Sequence, residues 1–412
     1  MTEGGDGGVA RRLVLALVGG GLVGSASCSG PGNDLPDRTD QIQKEINRVS
    51  LRGGGVCHLP DGELGVRSLS VPSHVHLRGG KGSVLVGRSP RALVQIEKYS
   101  KDVQLSDFSV RMHPEAPHGI RLGEGVSLVS LARLAVQGSG ARGIGIEVRP
   151  TTNQVHIHAV ELSSVATGVR VLENARELSI TECVVKDWSQ RGLALRCVGV
   201  ASRKIEIRDN EIGPCRPGGV VRQPIQFSAN SGGFFDDVKV AGNRVTGPGT
   251  DDKDALNSGT ADQISLHHCR NFTVRGNTVV GGGEVGITVS RGSRDGEVLY
   301  NTCRGNDSAG IVIGSMSGPK VAAISVRGNT AVGNGVNLGG SLPSTAKCGI
   351  AIRNASEIDV EQNTLGGGSR SPQRYGVTVA FSTSVAIGEN TFSGHSVANV
   401  HRFTKIPSGE EL

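Results

Sequence analysis

Residues 238–245 read VKVAGNRV and residues 272–279 read FTVRGNTV, and this repeated pattern is the main evidence for the fold. In both stretches a short alternation of apolar and polar residues leads into Gly-Asn and then into a second short apolar run. The same motif, with some variation, returns along the second half of the chain at intervals between 24 and 34 residues. The asparagines that mark it are Asn210, Asn243, Asn277, Asn301, Asn329, Asn363 and Asn390.

A repeat of this length predicts a solenoid. One coil of a few short strands cannot bury its apolar face alone. Stacked coils can, because they form parallel sheets about 4.8 Å apart with Val, Ile and Leu pointing inward. Asn tolerates left-handed backbone geometry, and its side chain can hydrogen-bond along the stack. We therefore predict an all-β fold, a single-stranded parallel β-helix with a ladder of Asn at one turn.

The segment before the first coil predicts a short capping helix over residues 37–49. Ile42, Ile46 and Val49 recur at helical spacing, the acidic first residue can cap the start, and three glycines at 53–55 end the helix. An amphipathic helix placed here can cover the apolar end of the first coil.

The composition excludes several protein classes. The 412 residues include 62 Gly, eight Phe, three Tyr and one Trp, and 36% are hydrophobic, which is too polar for a multi-span membrane protein. Glycine without a Gly-X-Y period excludes collagen and favours a fold with many tight turns. The net charge of +6 is spread along the chain, which fits either an acidic polysaccharide partner or solubility alone, and does not indicate a nucleic-acid partner.

The first 28 residues are typical of an export signal. Two arginines precede an apolar stretch from Leu13 to Val23, and small residues follow just before Cys28. We expect a linker at 29–36, a β-helix domain at 37–405, and an extracytoplasmic protein. It is either secreted or held at the cell surface by a lipid on Cys28. Seven further cysteines include no CxxC pair, so a structural zinc site is not expected.

The opening coils resemble the pectate-lyase-like superfamily. Residues 37–42 (DRTDQI), 53–62 (GGGVCHLPDG) and 69–79 (LSVPSHVHLRG) carry the resemblance, which extends over roughly residues 37–400. It implies a right-handed parallel β-helix, the pectin-lyase-like solenoid, as a monomer or a homotrimer. Members include lyases, hydrolases, epimerases and non-catalytic adhesins, so the resemblance specifies the fold better than the activity.

A local likeness to polygalacturonases runs from residue 260 to residue 353. TADQI at 260–264, GEVGI at 283–287, SAGIVIG at 308–314 and AIR at 351–353 match that family's sequential motifs. The chain departs from the pattern at four positions. Glu284 replaces the first Asp of a pair, Val285 the second, Ala309 a His and Ala351 an Arg.

Two carboxylates, Asp262 and Glu284, stand 22 residues apart, which is close to one coil. In register they would lie on adjacent coils of one sheet face, where one could act as the acid and the other as the base or nucleophile of glycoside cleavage. The alternative is two ordinary solvated carboxylates. His267 and His268 end a strand close by; one is a further candidate acid or base, and His268 a candidate substrate-binding residue.

An acidic segment interrupts the repeat at residues 246–261. Asp251, Asp252 and Asp254 are candidate Ca²⁺ ligands, since Ca²⁺ prefers several oxygen ligands; the alternative is a solvated loop. In lyases of the superfamily such a cation neutralises a uronate carboxylate while a Lys or Arg acts as base. The resemblance therefore makes Arg291 a candidate catalytic residue, with Lys253 and Arg294 as candidate substrate-binding residues.

Together these features predict an exported β-helix protein that acts on polysaccharide. The first hypothesis is an enzyme that cleaves an acidic, uronate-containing glycan by hydrolysis or β-elimination, or that epimerises it, with either no cofactor or Ca²⁺. The alternative is a non-catalytic cell-surface β-helix that binds glycan or cell wall. Contact with a membrane is expected only through the lipid anchor.

Overall fold

The structure is a computed structural model of the chain. It describes residues 35–140, 142–216, 223–230, 232–247, 262–281, 284–336, 347–368 and 373–403. Within these ranges the chain forms one helix, α1 (Thr39–Leu51), and 39 short strands. Strands repeat in groups of three. Each strand pairs in parallel with the strand three places later, which builds three sheets of 13 strands each. The all-β parallel β-helix with a short N-terminal helix is confirmed.

The first sheet contains β1 (Gly55–His58), β4 (Val75–Arg78), β7 (Lys101–Ser106), β10 (Ser127–Ala132), β13 (Asn153–His158), β16 (Arg176–Thr181), β19 (Ala201–Arg208), β22 (Phe234–Ala241), β25 (Cys269–Arg275), β28 (Arg294–Leu299), β31 (Val321–Arg327), β34 (Ala355–Glu361) and β37 (Thr383–Ile387). The second sheet contains β2 (Gly62–Val66), β5 (Ser83–Gly87), β8 (Ser109–Arg111), β11 (Ala135–Gln137), β14 (Glu161–Ser163), β17 (Val184–Lys186), β20 (Glu211–Ile212), β23 (Arg244–Thr246), β26 (Thr278–Val280), β29 (Thr302–Arg304), β32 (Thr330–Val332), β35 (Thr364–Gly366) and β38 (Thr391–Ser393). The third sheet contains β3 (Leu69–Val71), β6 (Val94–Ile96), β9 (His118–Leu122), β12 (Ile144–Val148), β15 (Thr167–Val171), β18 (Arg191–Val198), β21 (Gln223–Asn230), β24 (Ile264–His267), β27 (Ile287–Ser290), β30 (Ile311–Ile313), β33 (Cys348–Arg353), β36 (Tyr375–Ala380) and β39 (Ala398–Phe403).

The core is a stack of apolar columns inside the three sheets. In the first sheet Val240, Val274, Val298, Val326 and Val360 face one another on successive coils, and all five are buried. Each column continues along the solenoid because neighbouring coils repeat the same inward positions. Polar side chains alternate with these residues and point outward, so the outer sheet faces are available for binding.

The asparagine ladder runs along the turn between the first and second sheets. The Asn243 backbone N–H and side-chain Nδ2 donate to Asn277 Oδ1 at 3.0 and 2.9 Å, and the same pair of bonds links each marker Asn from 210 to 390. The ladder therefore satisfies these buried amides. The left-handed residue of the turn is not the Asn but the residue before it, for example Gly242 or Tyr300.

Helix α1 packs on β1, β3 and β4 at the start of the stack. It begins at Thr39, two residues later than predicted, and the Asp37 side chain accepts the Thr39 backbone N–H at 2.9 Å. Ile42, Ile46 and Val49 are buried against the first coil, as the helical spacing predicted.

The seven cysteines from Cys57 to Cys348 are all buried in the structure. The residues predicted to form the export signal and most of the linker lie outside the described part of the chain. Among the helices that the structure describes, none combines the length and the apolar character that crossing a membrane requires.

Candidate active site

A cavity of about 650 Å³ opens on the outer face of the third sheet, over strands β18 to β33. Its walls carry acids, bases and hydroxyls together with a few apolar side chains. The lining residues are Arg191, Gln223, Gln226, Asp262, His267, Glu284, Val285, Thr288, Ser290, Arg291, Val312, Gly314, Ser315, Met316, Ser317 and Arg353. Four residues that the sequence pointed to, Asp262, Glu284, His267 and Arg291, therefore line one cavity.

The two carboxylates enter the cavity from adjacent coils. Asp262 lies two residues before β24, and Glu284 lies three residues before β27. The Gln263 backbone N–H donates to Val285 O at 2.9 Å, which fixes the register of the two segments. The sheet thus brings together two side chains that are 22 residues apart in the sequence.

Both carboxyl groups are half-buried and both have raised pKa values. Burial, and then the neighbouring Glu284 charge, raise the pKa of Asp262 to about 7, while the Thr288 hydroxyl and the Arg353 guanidinium oppose the rise. Burial also raises the pKa of Glu284, and Arg353 again opposes it. One carboxyl of the pair is therefore protonated for much of the range near neutral pH.

Arg353 forms the floor of the site at the end of β33. Its side chain is buried, and its charge interacts with both carboxylates. Within the described residues, its Nη2 atom has no hydrogen-bond partner. A buried guanidinium nitrogen without an acceptor is costly, so a polar ligand group in the cavity would be stabilised there.

His267 lies at the end of β24 on the same wall. Its Nε2 lies 2.9 Å from the Ser265 hydroxyl. Burial, with the Arg291 charge and then His268, lowers the pKa of His267 to about 4. The imidazole is therefore neutral at ordinary pH and can accept or share a proton.

The remaining predicted site residues are not brought into this cavity. His268 follows His267 but is absent from the cavity lining. Arg294 begins β28 on the first sheet, where its Nε lies 3.6 Å from the carboxylate of Asp295. Lys253 and the candidate Ca²⁺ ligands Asp251, Asp252 and Asp254 lie outside the described residues. Within the ranges that are described, no three His, Cys, Asp or Glu side chains are grouped to hold a metal ion.

A third carboxylate on the same sheet, Glu147 of β12, was not singled out from the sequence. It is 1% exposed and pairs with Arg121 at 3.2 Å, Arg170 at 2.5 Å and His118 at 3.1 Å. Burial alone would raise its pKa, but the bonds and charges of His118 and Arg170 outweigh burial and lower the pKa to about 2. The only sequence signal was charge alternation at the coil spacing, since Arg121, Glu147 and Arg170 are register partners.

The sequence profile described as "Right handed beta helix region" matches residues 144–365. The chain belongs to the right-handed β-helix family. The resemblance to the pectate-lyase-like superfamily is confirmed, and so is the right-handed form of the solenoid. No curated protein sequence matches the chain significantly.

Several solved structures share the fold over most of their length. The A-module of the mannuronan C-5 epimerase AlgE4 from Azotobacter vinelandii is 17% identical with a TM-score of 0.52, covering 91% of this chain and 98% of its own. The surface protein and adhesin PfbA from Streptococcus pneumoniae is 12% identical with a TM-score of 0.55, covering 90% and 97%. DFA-IIIase from Arthrobacter chlorophenolicus A6 is 13% identical with a TM-score of 0.51, covering 80% and 92%. At these identities the likeness establishes the fold.

Proposed function

We propose that this protein is an extracytoplasmic enzyme that hydrolyses glycosidic bonds of an acidic polysaccharide at the Asp262–Glu284 pair. One observation carries the proposal: two carboxyl groups with raised pKa values line a single cavity on the outer face of the third sheet. Glycoside cleavage needs such a pair, one carboxyl protonated and one able to act as base or nucleophile.

The raised pKa of Asp262 favours this residue as the acid of the pair. Asp262, with a pKa of about 7, holds a proton near neutral pH and donates it to the leaving glycosidic oxygen as the C–O bond breaks. Glu284 then either attacks the anomeric carbon or removes a proton from the attacking water. When Asp262 releases its proton, the nearby Arg353 charge stabilises the carboxylate that forms.

The shape of the molecule supports a polymeric substrate. The cavity lies on the side of a solenoid, where a chain can run across successive coils, and is not a closed pocket at one end. The solved structures that share the fold include a mannuronan C-5 epimerase and an adhesin. The predicted export signal would place the protein where such polymers occur.

A second reaction is supported by His267. A neutral imidazole in the same cavity could remove the C5 proton of a uronate, while Arg353 would balance the charge that develops on the carboxylate. Elimination or epimerisation would follow. Hydrolysis is favoured because a pKa of about 4 makes His267 a weak base.

The test follows two signals in one set of reactions. The purified chain is incubated with acidic and neutral polysaccharides, with and without Ca²⁺, while new reducing ends and the ultraviolet absorbance of unsaturated uronate are measured. Reducing ends without absorbance, lost in Asp262→Asn and retained in Asp359→Asn, would support hydrolysis. Asp359 is the matched control because it is an exposed carboxylate on the outer face of the first sheet.

Other outcomes would overturn the hydrolase. Absorbance that disappears in His267→Gln would mean elimination, and a change in uronate composition without cleavage would mean epimerisation. Tight glycan binding with none of these signals would mean the non-catalytic surface protein that was the alternative.

A further inference from the structure

The outer face of the third sheet continues from the carboxylate pair toward the N-terminal coils, and there its charge changes sign. Arg191 begins β18 and faces Gln223, the first residue of β21. Ile225 of β21 faces Ile264 of β24, so the same register aligns Gln223 with Asp262. Arg191 is thus two strands from Asp262, which corresponds to about 10 Å at the usual strand spacing.

Arg191 is a desolvated cation with no anionic partner in the described chain. Its side chain is half-buried in the cavity wall, and its Nε donates to Gln226 Oε1 at 2.7 Å. Burial, and then the nearby Arg170 charge, lower its pKa. No carboxylate that the structure describes forms an ion pair with it; Glu147, two strands away in the same sheet, is bound by Arg121 and Arg170.

Gln223 lies between Arg191 and Asp262 and is also incompletely bonded. The residue is 8% exposed, and its Oε1 atom receives no hydrogen bond within the described part of the chain. A buried amide oxygen without a donor costs free energy comparable to a lost hydrogen bond. Among the described residues, the wall therefore carries one cation without an anionic partner and, on the adjacent strand, one buried amide oxygen without a donor.

We propose that Arg191 and Gln223 form an anionic-sugar subsite. Arg191 binds the carboxylate of a uronate two strands from the reacting bond, and Gln223 accepts a hydroxyl of that sugar. The guanidinium fork matches a carboxylate in geometry and charge, and a ligand hydroxyl supplies the donor that Gln223 lacks. Glu147 binds Arg121 and Arg170 on the neighbouring coils of the same sheet, so with Arg191 the region contains three arginines and one carboxylate and keeps a positive excess.

This inference rests on the proposed function for its place in the reaction, but binding alone can test it. Asp262→Asn serves as the parent protein so that ligands stay intact. The probes are oligomers of galacturonate and of mannuronate, each beside its carboxyl-reduced counterpart. We expect the parent to bind at least one acidic oligomer ten-fold or more tightly than its reduced form. Arg191→Gln should remove that preference, and Arg191→Lys should retain part of it.

Arg196→Gln is the matched control, since Arg196 is an exposed arginine on the same strand and is absent from the cavity lining. It should leave the preference unchanged. Equal affinity for acidic and reduced oligomers would overturn the subsite, as would binding of none of them or an equal loss in Arg191→Gln and Arg196→Gln. Failure of the hydrolase proposal would be seen separately, as absent cleavage by the wild-type chain whatever the binding result.

Discussion

Glu147 and Asp262 lie on one sheet, and their pKa values shift in opposite directions. Burial opposes the charge of both. Glu147 is surrounded by Arg121, Arg170 and His118, and its pKa falls to about 2. Asp262 has a second carboxylate as its near neighbour, and its pKa rises to about 7. A carboxylate on this sheet therefore becomes part of a structural ion pair or a proton donor according to the charged side chains around it.

The largest effect is expected at Asp262. Asp262→Asn keeps the shape of the side chain but removes the acidic proton, so the rate of cleavage should fall by about 10²–10⁴-fold. Reducing-end assays on the substrate found above would measure it. Asp359→Asn should keep full activity, and an equal loss in both variants would show that the Asp262–Glu284 cavity is not the active site.

The next largest effect is expected on the free energy of unfolding, when Glu147 is replaced. Glu147→Gln leaves two arginines together without their carboxylate. Loss of one partner of a buried ion pair typically costs about 3–5 kcal/mol; we expect about 2–3 kcal/mol here because both arginines are partly exposed. Urea unfolding would measure it.

Glu161→Gln is the control for this variant. Its carboxylate forms an exposed ion pair with Lys186 on the second sheet. Loss of this pair should lower the free energy of unfolding by less than about 1 kcal/mol. Similar costs for the two variants would remove the distinction between a buried and an exposed pair.

The pH dependence of stability should differ in sign between the two sites. Asp262 keeps its proton in the folded chain up to about pH 7, while an unfolded Asp loses it near pH 3.9. Wild-type stability should therefore fall relative to Asp262→Asn as the pH rises through this window, and the raised pKa of Glu284 acts in the same direction.

Glu147 gives the stability of the folded chain the opposite dependence on pH. Its folded pKa of about 2 lies below the unfolded value near 4.3, so its stabilisation is present above that value and is lost as the pH falls toward 2. Unfolding temperatures of wild type, Asp262→Asn and Glu147→Gln across the pH range would show both trends. A difference between wild type and Asp262→Asn that does not change from pH 4 to 7 would contradict the raised pKa.

The smallest effect is expected at His118. His118→Gln removes one of three partners of Glu147, while both arginines remain, so the loss should be about 1 kcal/mol or less. The acid end of the unfolding curve should move to higher pH. His156→Gln, at an exposed histidine bonded to Ser179 on the first sheet, should change neither quantity.

Most of the fold could be predicted because each coil repeats the same local sequence pattern. The marker asparagines and the alternating apolar runs specify one turn and its inward positions, and stacking then follows from the need to bury those positions. The α1 face formed by Ile42, Ile46 and Val49 was equally local. The turn geometry was only partly predicted, because the left-handed residue is the one before the Asn in six of the seven turns, and the sequence alone offers both positions.

Less of the candidate active site could be predicted from the sequence. The coil spacing drew attention to Asp262 and Glu284, and the motif likeness to the segment ending at Arg353. Nothing local distinguished Arg291, which lines the cavity, from Arg294, which begins a strand of the first sheet. A shift of a few residues moves a side chain to a different sheet of the solenoid, so the direction of each side chain depends on where the turn falls.

Periodicity along the chain was enough to predict the solenoid, the order of its coils and the presence of acids near the coil spacing. Which charged side chains lie close together became visible only in the stacked coils. Register across coils set Glu147 between two arginines, placed Asp262 beside Glu284, and left Arg191 bonded to Gln226 with no anionic partner among the described residues. Electrostatic energies depend on separation and burial, and neither quantity exists until the coils are stacked.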